Sequence, residues 1–282
     1  MIGALKGEWR KTRKRPGVWV LCGILLAALV LLEYVIGWLY LTYAPAGGNF
    51  PAGTHAADFK VNVYPENFIK NSLSGGGTIG GAIALILGVL SMGSEYGWGT
   101  LKSTFIQRPS RLTTWAAKLV VLAGLLAILV VLFYVLAAAS SLLLASLDGV
   151  SSTWPPLGEI ARAVGATWLV FLMWASLGML LSVLFRQSAL AIGIGLVYLL
   201  LIEAIFGGIF GGSDAFRAVE RPLPGANAAA LLASFGRVVI RGVRDQSPAP
   251  VAGAIQAAVV VLLYIVGFSI VGGFLLRRQD VS

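Results

Sequence analysis

Long apolar runs separated by short polar stretches dominate the chain. Each run exceeds the roughly 20 residues that an α-helix needs to cross the hydrocarbon core of a bilayer. The pattern therefore predicts an all-α integral membrane protein, a single transmembrane domain over residues 1–282. The six predicted spans cover residues 18–43, 73–94, 115–147, 163–185, 188–212 and 251–276.

The first 17 residues have the pattern of a helix that lies along a membrane surface. Ile2, Leu5 and Trp9 recur on one helical face, six basic residues cover the remainder, and Pro16 breaks the helix. Such a segment places its apolar face in the leaflet and its charges at the head groups. We expect an interfacial helix that turns into the membrane at the proline.

A polar segment over residues 95–118 lies between the second and third spans. Its apolar residues recur at i, i+3, i+7 and i+8 from Trp98, which predicts a short amphipathic helix at the membrane surface. Pro109 ends this helix, and Thr113 or Thr114 is expected to cap the next one. The apolar face consists of Trp98, Leu101, Phe105 and Ile106.

Basic residues are distributed unevenly between the two predicted sides of the membrane. The side with both termini and residues 95–118 holds 13 Lys and Arg against three acids, whereas the other side holds eight against seven. Because loops rich in Lys and Arg stay in the cytosol, both termini are predicted to be cytoplasmic in a multi-pass plasma-membrane protein. The weak point is the predicted outer loop over residues 213–250, which carries five arginines.

Composition excludes several classes of function. At 58% hydrophobic and 12% charged residues the chain is far from a soluble domain, so its net charge of +9 indicates lipid head groups rather than nucleic acid. One cysteine, Cys22, and one histidine, His55, make a metal site built by one chain improbable. No Gly-x-x-x-x-Gly-Lys-Ser/Thr motif is present, so the chain is not expected to hydrolyse ATP or to act as an enzyme alone.

The segment that begins Glu-Tyr-Gly-Trp-Gly-Thr-Leu-Lys at Glu95, followed by a basic Pro-Ser-Arg turn and by Lys118 at the start of a span, resembles the coupling segment of type-2 ATP-binding-cassette (ABC) permeases. The resemblance is strongest to the bacitracin-resistance and copper-enzyme-maturation branch. It implies an N-terminal elbow helix, a cytosolic coupling helix between spans 2 and 3, and a re-entrant element between spans 5 and 6. The residues it assigns to ATPase coupling are Glu95, Tyr96, Trp98, Thr100, Leu101, Lys102, Phe105 and Arg108.

This resemblance implies the permease subunit of an ATP-driven exporter. A separate ATPase subunit would bind ATP and Mg²⁺, and no cofactor would be bound by this chain. The other expected partners are a second permease copy, as a homodimer or alternatively a heterodimer, and membrane lipids. Glu95 is expected to pair with a cation of the ATPase or to cap the short helix.

Two carboxylates lie within predicted spans, Glu33 and Glu203. Each is fifteen residues from the predicted cytosolic start of its span, which places both at a depth of ~22 Å at ~1.5 Å per residue. Intramembrane carboxylates are costly and usually face a cavity or the interior of a bundle, so both are candidate pathway residues. Two alternatives stay open: packing glutamates bonded to Tyr34, Trp38 or Tyr198, and proton or cation sites of a secondary transporter or channel.

Two further patterns concern packing and the outer loop. Small residues recur every four positions in the second span, which allows close contact with another helix in lipid. In the outer loop, Asn227 is expected to cap an amphipathic helix that lies on or dips into the outer leaflet. The small residues are Gly76, Gly80, Ala84 and Gly88, and the apolar face of the loop helix is Leu231, Leu232, Phe235, Val238, Val239 and Val243.

Overall fold

The computed structural model describes residues 2–43, 59–97, 110–151, 153–202, 220–236, 250 and 252–279. Every element of regular secondary structure within these residues is helical, as the apolar runs predict. Two single 3-10 turns, Val61–Val63 and Pro65–Asn67, precede α3. The helices are α1 (Ile2–Lys14), α2 (Pro16–Tyr43), α3 (Phe68–Ser74), α4 (Gly76–Gly97), α5 (Arg111–Leu147), α6 (Leu157–Phe185), α7 (Ser188–Ile202), α8 (Pro224–Ala233) and α9 (Ala254–Arg278).

Five of these helices are long and apolar enough to cross a membrane: α2, α4, α5, α6 and α9. They correspond to the predicted spans 1, 2, 3, 4 and 6. The predicted span 5 begins as the shorter apolar helix α7, and the rest of that prediction lies outside the described residues. The all-α membrane class is confirmed, and the sixth crossing stays a prediction.

Helix α6 lies at the centre of the bundle and packs against α4, α5, α7, α8 and α9. Small residues permit its close approach to α4. A Cβ atom at Gly80 would collide with the Phe171 ring, and one at Gly88 would collide with the backbone of Ala175. The side of α4 that carries Gly80, Ala84 and Gly88 therefore faces α6. The surroundings of Gly76, the fourth predicted packing residue, lie outside what the structure describes.

Two spans contain wide π-helical turns. In α2 the turns cover Leu29–Ile36, and in α7 they cover Tyr198–Ile202. π-Turns disturb the regular backbone ladder and often occur at functional sites. One of them contains Glu33, and the other ends directly before Glu203 in the sequence.

Two predicted helix caps were wrong. Helix α5 starts at Arg111 because the Ser110 hydroxyl accepts a hydrogen bond from the Thr113 backbone N–H at 3.0 Å, so the cap precedes both predicted threonines. Helix α8 starts at Pro224, where proline is favoured in the first turn. Asn227 lies inside that helix, and its amide donates back to the carbonyls of Arg221 and Leu223.

The residues directly before α8 contact α9 far from the first turn of that helix. The Tyr264 hydroxyl donates to the Pro222 carbonyl at 2.7 Å. Because Tyr264 lies ten residues into α9, this contact is ~15 Å from the start of that helix at ~1.5 Å per residue. The chain directly before α8 thus lies toward the middle of the bundle.

Candidate functional site

One end of the bundle, here called the basic end, is formed by α1, the last turn of α4, the first turns of α5, the α6–α7 turn and the last turn of α9. Most of the Lys and Arg residues of the described chain lie at this end, which is the end predicted to face the cytosol. The apolar face of α1 points outward, with Ile2 72% and Trp9 39% exposed, as an interfacial helix requires. The opposite side of α1 packs against α5.

Four charged side chains meet at the basic end and form what we call the four-charge cluster. Lys118 Nζ on α5 donates to Glu95 Oε1 on α4 at 2.7 Å and to Glu8 Oε2 on α1 at 2.9 Å. Lys11 Nζ donates to the same Glu95 oxygen at 2.9 Å and to Glu8 Oε1 at 3.2 Å. Two carboxylates and two ammonium groups thereby balance, and they join three helices that are distant in sequence.

Burial makes the cluster a strong structural constraint. The side chains of Glu95, Lys118 and Glu8 are 1%, 2% and 4% exposed, whereas Lys11 is 37% exposed. A charge with so little solvent contact is tolerated only when it is paired and hydrogen-bonded. Lys118 fills its remaining donor capacity at the Ser91 carbonyl, and Glu95 Oε2 has no hydrogen-bond partner within the described residues.

The Lys118–Glu95 pair closes the base of the segment between α4 and α5. Tyr96 is also anchored there, because its hydroxyl donates to Gln279 Oε1 at 2.6 Å. The structure thus gives Glu95 and Tyr96 partners inside the chain. The other six predicted coupling residues lie outside the described residues: Trp98, Thr100, Leu101, Lys102, Phe105 and Arg108.

The last turn of α9 is fixed to the same end of the bundle. Gln279 Nε2 donates to the Val183 carbonyl of α6 at 2.8 Å. The Arg111 guanidinium, at the start of α5, donates to the carbonyls of Leu276, Arg277 and Gln279. Cationic groups at a helix C-terminus donate hydrogen bonds to its unpaired carbonyls and interact favourably with the helix dipole.

Glu33 lies at the other end of the bundle, against the start of α4. Ser74 Oγ donates to Glu33 Oε2 at 2.9 Å, and Asn71 Nδ2 donates to the Glu33 carbonyl at 3.0 Å. A Cβ atom at Gly75 would collide with the carboxylate, so the glycine provides the space that Glu33 occupies. Glu203, the second candidate pathway residue, lies outside the described residues.

A cavity of about 680 Å³ adjoins this position. Its walls come from the first turns of α4, from α6, from the π-helical part of α7 and from α8 above. Ser74, which donates to Glu33, also lines the cavity, together with Thr78 and Trp174. Lys70 and Glu220 line it as well, so its wall carries both signs of charge.

A second polar cluster fixes the loop before α3 to the end of α5. Asp148 Oδ2 accepts hydrogen bonds from Trp38 Nε1 at 2.8 Å and from the Tyr64 hydroxyl at 2.9 Å, and Lys60 Nζ lies 3.3 Å away. Burial raises the pKa of Asp148, but the Trp38, Tyr64 and Lys60 donors outweigh it and hold that pKa below its usual value. Burial and the neighbouring Asp148 raise the pKa of Tyr64 to about 12.

Sequence reasoning missed the partners of Glu95. Lys11 was assigned to the polar surface of an interfacial helix, and Lys118 only to the start of a span. Glu8, which binds both lysines, was only counted among the three acids of the predicted cytosolic side. The signal that could have found them is a charged residue at each of three predicted helix ends on one side of the membrane. Within the described residues no group of three or more His, Cys, Asp or Glu side chains could hold a metal ion.

Comparison with known proteins places the chain in a class. The family model described as "ABC-2 family transporter protein" matches residues 4–202, from α1 through α7. The chain therefore belongs to the ABC-2 transporter family, a family of membrane-spanning transport components of ABC transporters. A search of curated protein sequences found no match. The matched range contains the whole four-charge cluster and Glu33.

Proposed function

We propose that the chain is the permease subunit of an ATP-driven exporter and that separate ATPase subunits dock on residues 95–108. The observation that carries this proposal is the buried pair of Lys118 and Glu95, 2.7 Å apart. It joins α4 and α5 at the base of the segment between them. A displacement of that segment by the ATPase would therefore move α4 and α5 together.

Glu8 and Lys11 extend this connection to the N-terminal helix. Because Lys118 contacts Glu8 at 2.9 Å, α1 moves with α4 and α5 as one unit at the basic end. The Arg15 guanidinium adds a bond from the start of α2 to the Leu90 carbonyl of α4. ATP-driven closure of the ATPases would tilt these helices together.

Such switching has a thermodynamic requirement. The ATP-bound and ATP-free ATPases must contact the permease with different free energies, because a partner that binds both conformations equally shifts nothing. In our proposal the apolar side chains of Trp98, Leu101 and Phe105 provide the contact that differs. The four-charge cluster behind them provides the rigid base.

The translocation pathway is proposed to lie between two copies of the chain, beside Glu33 and Glu203. Support comes from the Ser74 hydroxyl, which both binds Glu33 and lines the 680 Å³ cavity below α8. Two copies would bring four carboxyl groups around one route, where a cationic or amphipathic substrate would relieve their repulsion. Helix α8 would cover the outer exit.

Trp98→Ala tests the docking surface. Aromatic residues in protein interfaces often contribute about 2 kcal/mol or more, so the variant should bind the ATPase about 30-fold more weakly. The measurement is copurification of a candidate ATPase subunit coexpressed with this chain, followed by its affinity for the purified permease. Trp154→Ala is the matched control, because Trp154 is 45% exposed and lies at the opposite end of the bundle.

Unchanged ATPase binding by Trp98→Ala, or equal loss in both tryptophan variants, would show that the ATPase docks elsewhere. Transport driven by an ion gradient, without any ATP-binding partner, would instead support the secondary transporter with Glu33 and Glu203 as its ion sites.

A further inference from the structure

A long apolar groove runs along the outer surface of α7. Its volume is about 760 Å³, and its walls come from α6, α7 and α9, with Leu223 and Pro224 closing its far end. From Gln187 to Ile202 it follows α7 for fifteen residues, or ~22 Å at ~1.5 Å per residue. That length covers most of the roughly 30 Å hydrocarbon core of a bilayer.

The groove walls match the chemistry of a lipid chain. Leu190, Ile194 and Val197 of α7 are 45%, 40% and 48% exposed, although they line a concavity. On the α9 side, the rings of Tyr264 and Phe268 lie 5.3 Å apart and form an aromatic wall. Gly193 leaves a gap in the α7 side, because a Cβ atom there would meet no other atom within 4 Å.

The mouth of the groove at the basic end is cationic. Gln187 lines it, and Arg186 precedes Gln187 in the turn between α6 and α7, with the left-handed φ of 54°. The last turn of α9, at the same end of the bundle, adds Arg277 and Arg278, and the Arg278 guanidinium lies 4.3 Å from the centre of the Phe274 ring. The hydrogen bond from Gln279 to Val183, three residues before Arg186, fixes the end of α9 at this position.

Within the described residues the acidic side chains of this end are Glu8 and Glu95, and both are paired with lysines in the four-charge cluster. Asp280 follows Arg278 in the sequence and lies outside the described residues. Guanidinium groups bind phosphate oxygens through paired, charge-assisted hydrogen bonds. Basic residues between membrane helices at the cytosolic surface are suited to the head groups of anionic lipids.

From these observations we propose that the groove binds one anionic phospholipid of the leaflet at the basic end. One of its acyl chains lies along α7 between the α6 and α9 walls, and its phosphate contacts Arg186 and Arg278, which is on the same face of α9 as Tyr264. The lipid would occupy the surface between α7 and α9 and thereby connect the α6–α7 turn to the last turn of α9. This site is separate from Glu33 and from the four-charge cluster.

The test uses the purified full-length chain with phosphatidylglycerol and phosphatidylcholine of identical acyl chains, and lipid binding is measured by native mass spectrometry. At about 1 kcal/mol for each basic residue near the head group, Arg186→Gln together with Arg278→Gln should weaken phosphatidylglycerol binding about 30-fold. Phosphatidylcholine binding should change little. Equal affinity of the wild type for both lipids would overturn the proposal.

Gly193→Leu tests the acyl-chain part of the site. The leucine side chain fills the gap in the α7 wall, so binding of both lipids should fall. Gly124→Leu is the matched control, because Gly124 is exposed on α5 and a Cβ atom there also meets nothing within 4 Å. This control should bind both lipids like the wild type.

Two outcomes would overturn the proposal in favour of another occupant. If Gly193→Leu converts a dimer to monomers while lipid binding is retained, the groove is an interface with a second copy. If glycerol phosphate without acyl chains competes as well as phosphatidylglycerol, the arginines bind a free phosphate and the groove has no part in it.

Discussion

Replacing Lys118 with methionine removes one of the two ammonium groups of the four-charge cluster while keeping a long, flexible side chain. The carboxylates of Glu8 and Glu95, 4% and 1% exposed, would then share only Lys11, which is itself 37% exposed. Removal of one partner from a buried ion pair typically costs about 3 to 5 kcal/mol, because the remaining charge is desolvated and uncompensated. Since Lys11 still balances half of the negative charge, we expect a loss of about 3 kcal/mol.

Lys60→Met is the matched control. Lys60 also pairs with a carboxylate, that of Asp148, but at 3.3 Å and with side chains that are 18% and 17% exposed. More exposed pairs are screened by water and contribute about 1 kcal/mol or less. The two lysine variants should therefore differ in stability by about 2 kcal/mol or more.

The chain contains a built-in reporter for this measurement. Cys22 is its one cysteine and is buried in α2, so a thiol-reactive fluorophore labels it when the bundle opens. The protein is unfolded at equilibrium in mixed micelles with an increasing fraction of a denaturing detergent. The difference in the free energy of unfolding between each variant and the wild type is then compared. Equal stability losses for Lys118→Met and Lys60→Met would refute the argument that burial makes the cluster a rigid base.

A double-variant cycle separates the pair from its surroundings. If Lys118 and Glu95 stabilise each other, Lys118→Met combined with Glu95→Gln should lose less than the sum of the two single variants. Additive losses would mean that each side chain acts through other contacts.

Two further predictions concern the opposite end of the bundle. The Asp148 pKa is held below its ordinary 3.8, so its hydrogen bonds with Trp38 and Tyr64 contribute fully above that pH and are lost as the pH falls through the folded-state value. The stability advantage of the wild type over Asp148→Asn, measured by tryptophan fluorescence during unfolding, should therefore hold from pH 7 to pH 4 and shrink only at lower pH. An advantage that shrinks already between pH 7 and pH 5 would contradict the depressed pKa. Glu33→Gln keeps the hydrogen bond from Ser74 and removes the ionisable group. We expect this variant to remain folded and to lower ATP-driven efflux of a cationic amphipathic dye from proteoliposomes at least twofold. Efflux at the wild-type rate would show that Glu33 is a packing residue.

Much of the fold follows from local pattern. The apolar runs locate five of the predicted spans to within a few residues, except that α6 begins six residues before its predicted start, at Leu157. Those six residues contain Glu159 and Arg162, which a hydropathy pattern excludes from a span although a helix can project beyond the bilayer. Helix ends are less predictable, because Ser110 and Pro224 compete with equally suitable capping residues nearby.

The candidate site was only half predictable. The sequence identifies Glu95 and its neighbours through their resemblance to a coupling segment, and it identifies Glu33 through the cost of a carboxylate in a span. It does not identify the partners of Glu95, since Lys11 and Lys118 lie 84 residues before and 23 residues after it. Contacts over such separations depend on how the helices pack, and amphipathic periodicity carries no information about that.

In our proposal a separate ATPase docks on the segment between α4 and α5, and the Lys118–Glu95 pair joins the two helices that flank this segment. Docking is measured by placing a photo-crosslinking amino acid at Phe105 in cells that also express a candidate ATPase subunit. Leu157, which is 80% exposed at the opposite end of the bundle, serves as the control position. We expect a crosslink to the ATPase from position 105 and none from position 157. Absence of a crosslink from position 105, or equal crosslinks from both positions, would show that the ATPase does not dock on this segment.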